Sequence, residues 1–123
     1  MRDPAERFRA SLSEQLRTAF ADRNGEAVRT LRCVMAAIDN AGAVPLDEVR
    51  RVAPTTTETP RKSLSEQEIA GILQAEIAAR NRVAAEHARR GNDAQAASLH
   101  AEIAVIQQLT TLLNREPLPW PPT

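Results

Sequence analysis

Apolar residues recur every three or four positions along most of this chain, and where the recurrence breaks the text turns to proline, glycine and threonine. Phe8, Leu12, Leu16 and Phe20 stand at every fourth position of residues 5–22, which predicts an amphipathic helix with those four on one face. The DRNG that follows offers Asp22 or Asn24 as an N-cap. Val28, Leu31, Val34, Met35 and Ile38 then resume the period over about 25–41, where Gly42 is expected to supply a left-handed stop.

Residues 43–62, AVPLDEVRRVAPTTTETPRK, hold no sustained period, and their three prolines forbid a long helix, leaving room for one or two turns at LDEVRRV. This reads as a linker. Ser65 with Glu68 forms a capping box that restarts order, and Ile69, Ile72, Leu73, Ile77, Val83 and Ala84 carry a stripe up to Arg90, with Gly91 as the C-terminal stop. Asn92 with Gln95 repeats the capping signature before Leu99, Ile103, Ile106, Leu109 and Leu113. Two long helices joined by so short a turn are expected to fold back as an antiparallel hairpin. The expected architecture is all-α: a small helical bundle with a long antiparallel helical hairpin over 1–114, followed by a proline-rich tail at 115–123.

Composition narrows the picture. One domain suits 123 residues, and with two Phe, one Trp and no Tyr its core must be aliphatic. Sixteen basic residues balance sixteen acidic ones, so any attraction to nucleic acid must come from local patches. Fifteen of those basic residues are arginine, which suits bidentate phosphate or carboxylate contacts, although a coding bias toward arginine and alanine explains the same excess. The single cysteine, Cys33, excludes an intramolecular disulfide framework. A charged start and the absence of a long apolar run predict a cytoplasmic protein outside the membrane.

Candidate chemistry is sparse. Glu76 and Arg80 fall on the stripe of the third helix where apolar side chains belong, in the favourable order for an intrahelical pair. Arg80 lies eleven residues before Gly91 and Glu102 eleven after it, so the hairpin sets them opposite one another. A Glu76, Arg80, Glu102 network is therefore expected, acting as an interhelical clamp rather than as an acid–base site, because no nucleophile or metal ligand accompanies it. His87 and His100 stand four and nine residues from Gly91, an awkward geometry for one metal, and Cys33 faces away from the apolar stripe of its helix. No catalytic residue, metal site or cofactor is expected. What remains is arginine placement: Arg29 and Arg32 on the second helix, and Arg82, Arg89 and Arg90 on the third, are the candidate RNA contacts, supplemented by Arg50 and Arg51 within the linker and Arg61 and Lys62 at its end, before the third helix.

The runs LRTAFADRNGEAVRTLRCVMAAIDNA (16–41) and LSEQEIAGILQAEIAARNRVAAEHARRGNDAQAASLHAEIAVIQQL (64–109) resemble the GatB/YqeY domain family, above all in LR and AAI of the second helix, the Glu76 and Arg80 pair, Gly91 with Asp93, and AEIAVI. Family members resemble small helical proteins or the tail domain of the B subunit of the glutamine-dependent aminoacyl-tRNA amidotransferase. The resemblance implies a tRNA-related role and a carbon–nitrogen ligase label with glutamine as amide donor. It supplies no catalytic residues, since those belong to other parts of that enzyme. The expected function is thus a noncatalytic accessory domain whose partner is tRNA. The alternative is a helical protein–protein interaction module in which exposed helix faces or the PLPWPP tail engage a protein, and a free-standing amidotransferase is not expected.

Overall fold

The computed structural model describes residues 3–43 and 63–114. Among them run helices α1 (Pro4–Ala21), α2 (Gly25–Gly42), α3 (Glu66–Arg89) and α4 (Asp93–Asn114), with no strand: the protein is a small all-α bundle. Residues 44–62 and 115–123 lie outside the described residues, and with them the short helix suggested at LDEVRRV, the linker cations and Trp120.

Each helix begins where local chemistry favours it. Pro4 opens α1, where its missing N–H has no partner to lose. Asn24 settles the choice at α2, its Oδ1 accepting the Ala27 N–H at 3.1 Å. At α3 the full capping box forms: Ser65 Oγ accepts from the Glu68 N–H, and Glu68 Oε1 accepts from the Ser65 N–H.

The core is one cluster in which Phe8 and Leu12 of α1, Leu31, Val34 and Ile38 of α2, Leu64 with Ile69 and Leu73 of α3, and Ile106 and Leu109 of α4 pack together. Burying each such side chain stabilises by about 1.5–3 kcal/mol. α3 and α4 pack closely along one another, α1 lies mainly on α2, and α2 bridges to α4, so that α1 and α4 touch only sparsely. Ala84, Ala96 and Ile103 are buried too, but toward the Gly91 end and outside that cluster. Polar contacts join the elements: Arg7 with Glu66, Ser63 with Asp3, Arg9 with Asp39, and Ser98 donating to Glu26 at 2.7 Å.

Four local expectations are corrected. Phe20 is 52% exposed, and Ala19 takes the buried place. A spacing of four residues advances 400° around a helix, so the Phe8, Leu12, Leu16, Phe20 series drifts by about 40° per step and its last member leaves the core face. Val83 is 47% exposed because it sits about 100° from buried Ala84, and only one of two neighbours can face α4. Gly42 is not left-handed. α2 runs through it to the cap residue Ala43, whose backbone is extended (φ −75°, ψ 136°) and whose N–H donates to the Asn40 carbonyl. Asn92 does not pair with Gln95: its side-chain amide lies 3.4 Å from His87 Nδ1, while its carbonyl accepts the Ala96 N–H.

Positive φ occurs instead at Arg23 (57°) and Gly91 (78°). In the first turn Asn24 N–H donates to Ala19 O and Arg23 N–H to Phe20 O; in the second Asn92 N–H donates to His87 O and Gly91 N–H to Ala88 O. Both are Schellman closures, with the left-handed residue in the same place.

Candidate functional site

The most buried charged group among the candidates is Arg80. Its Nε donates to Glu102 Oε1 at 3.0 Å, and its Nη1 donates to Glu76 Oε1 at 2.8 Å and to the Glu76 carbonyl at 3.2 Å. The Arg80 side chain is 12% exposed, against 30% for Glu76 and 26% for Glu102. Burial, the largest single influence, would lower the Arg80 pKa. The hydrogen bonds and charges of Glu76 and Glu102 together outweigh it, and the pKa ends above the ordinary arginine value. A guanidinium held that firmly charged cannot exchange protons near neutrality, and it occupies carboxylate lone pairs that a proton transfer would need. The arrangement ties α3 to α4 and fixes their register.

The five candidate RNA contacts do not form one set. Arg89 and Arg90 both engage Glu86, Arg90 at 3.1 Å, so one carboxylate offsets part of the charge of the pair. Arg29, Arg32 and Arg82 are exposed, and among the described residues no carboxylate lies within ion-pair distance of any of them. Arg32 places its guanidinium carbon 5.2 Å from the centroid of the Phe20 ring, a cation–π contact between α2 and α1. The every-fourth spacing sets that ring on the core face and so hides the contact; the drift of about 40° per step in the same pattern is the signal that reveals it.

His87 is half-buried and in contact with Asn92, whereas His100 and Cys33 are exposed. Among the described residues no three His, Cys, Asp or Glu side chains gather as a metal site would need. No buried side-chain nitrogen or oxygen among them lacks a hydrogen-bond partner.

Where α1 and α4 diverge, shallow hollows follow one another along the seam. One of about 180 Å³ lies between Pro4, Arg7, Phe8, Glu66, Leu112 and Leu113. Another of about 300 Å³ lies nearer the α1–α2 turn, against Gln15, Ala19, Leu31, Val105 and Leu109. Neither presents convergent catalytic groups. No helix among the described residues is long and apolar enough to cross a membrane. No family model, curated protein or solved structure matches the chain.

Proposed function

We propose that this chain is a noncatalytic helical accessory domain that contacts tRNA, akin to the GatB/YqeY domains it resembles in sequence, and that any carbon–nitrogen ligase chemistry associated with it belongs to a partner enzyme. The observation that carries the reading is the exposed charge of Arg29, Arg32 and Arg82, which have no carboxylate partner among the described residues, on a chain whose total charge is zero. Arginines without a carboxylate partner keep their donors available for phosphate oxygens, and each phosphate neutralised adds to a salt-dependent affinity.

The test is a titration of bulk tRNA across a salt series with the wild-type chain, Arg29→Gln/Arg32→Gln and Arg89→Ala/Arg90→Ala. Binding that weakens as salt rises is expected, with the first double variant losing more than the second because Glu86 already engages Arg89 and Arg90. An absence of binding at low salt sinks the reading. The second reading, a protein-interaction module without RNA contact, then takes its place, favoured by the seam between α1 and α4 where Leu112 and Leu113 remain only partly buried.

A further inference from the structure

We infer that the α1–α2 turn is a single-stranded RNA contact, in which the exposed ring of Phe20 with the Arg32 guanidinium stacks a base while Arg17, Arg23 and Arg29 meet the flanking phosphates. The inference rests on the reading of the chain as an RNA-contacting domain and says where that contact lies.

The first support is the distribution of paired and unpaired arginines. Among the described residues Arg7, Arg9, Arg80, Arg89 and Arg90 all have carboxylate partners. Arg17, Arg23, Arg29, Arg32 and Arg82 have none and are exposed. Four of those five fall within residues 17–32, around a single turn. The carboxylates of that segment are Asp22 and Glu26, and Glu26 is turned toward Ser98, which leaves a local excess of two positive charges on a chain whose total is zero.

The second support is the aromatic ring. Phe20 is 52% exposed, and the Arg32 guanidinium lies over it at 5.2 Å. Arg17 is three positions earlier on α1, close enough along the helix to be its surface neighbour. Arg23 is three positions later in the turn, and Arg29 is one helical turn from Arg32 on the α2 side nearer that turn. An aromatic face, a guanidinium plane and phosphate-binding cations side by side are what an unpaired nucleotide requires; a duplex buries its base faces and has no use for the ring.

The third is the backbone. Arg23 holds φ 57°, in a position where the other turn of the same protein uses Gly91. An arginine kept in a conformation that favours glycine is strain, and strain of this kind gathers at binding sites.

The experiment measures binding of a fluorescently labelled mixed-sequence decaribonucleotide, single-stranded and as a duplex, to the full chain at several salt concentrations. The variants are Phe20→Leu, Phe20→Trp, Arg29→Gln/Arg32→Gln and Arg89→Ala/Arg90→Ala. Circular dichroism checks their folding, which the exposure of Phe20 favours. Phe20→Leu is expected to weaken single-strand binding by about five- to hundredfold with little change in salt slope. Phe20→Trp should restore it, and Arg29→Gln/Arg32→Gln should lower the slope by about 0.7 for each phosphate contact removed. If RNA binds and Phe20→Leu binds as the wild type does, or the duplex competes equally, this site is overturned while the RNA-contact reading stands. If the wild type binds neither decaribonucleotide at low salt, this site is overturned, and the RNA-contact reading falls with it only if bulk tRNA also fails to bind.

Discussion

The turn between α1 and α2 and the turn between α3 and α4 close with the same backbone hydrogen bonds, and each passes the chain into the next helix through an asparagine. They differ at the left-handed position, which is Arg23 in one and Gly91 in the other. Glycine meets that conformation without a steric penalty, whereas a side chain there carries a cost of about 1–2 kcal/mol. Around Gly91 the neighbouring cations share Glu86; around Arg23 they have no carboxylate partner among the described residues and stand beside an exposed ring. The second turn has the composition of a connector. The first bears strain and uncompensated charge together, a combination that stability alone does not favour.

The helix pairs behind the turns differ as well, and the largest expected effect lies there. α3 is tied to α4 by Arg80, and Arg80→Ala leaves two half-buried carboxylates without their common donor, a loss of about 1–3 kcal/mol in urea unfolding. The Arg80 pKa is raised in the folded state, so its contribution is fully present below the ordinary arginine pKa and disappears only as pH climbs through the higher folded value. The wild-type minus Arg80→Ala difference should accordingly stay flat from neutral to mildly alkaline pH. A slope in that range would contradict the assignment.

Exchanging the left-handed residues tests the turns directly. Gly91→Ala meets no atom within 4 Å of the new Cβ, so its expected loss of about 1 kcal/mol is purely conformational. Arg23→Gly should stabilise by a similar amount while removing a cation from the Phe20 surface. Loss of stability in Arg23→Gly would mean that the side chain holds the turn rather than a ligand.

The smallest effect separates the two asparagines. Asn24→Ala removes the acceptor of the Ala27 N–H and should cost about 1 kcal/mol. Asn92→Ala removes only a 3.4 Å contact to His87 and should cost a few tenths in the same thermal melts. Equal losses would show that Asn92 caps α4 in solution as Asn24 caps α2.

The helices were legible because their signals are local: the Ser65 and Glu68 box, Asn24 before the apolar run and Pro4 at a helix start all act within one turn of chain. Arg80 and Glu102 were legible by counting, since equal numbers of residues on either side of Gly91 put them opposite, and the side chains meet at 3.0 Å. Phe20 was not legible from spacing alone, because a four-residue repeat holds its face for about two steps before drifting out. Nor was the division among the arginines, because whether Glu86 engages both Arg89 and Arg90, or Glu26 turns away toward Ser98, depends on rotamers and neighbouring helices.

The shared core of the bundle ends well short of the Gly91 turn. Beyond Leu73 the burial along α3 comes down to Ala84, and before Ile106 that along α4 to Ala96 and Ile103. With so little apolar area there, amide protons of the last turns of α3 and the first turns of α4 should exchange through local openings. Those near Ile69, Leu73, Ile106 and Leu109, inside the core cluster, should exchange only when the whole bundle comes apart. The graded burial thus predicts a molecule that loosens from the Gly91 end inward, with the Arg80 clamp at the boundary between the part expected to breathe and the part that is not.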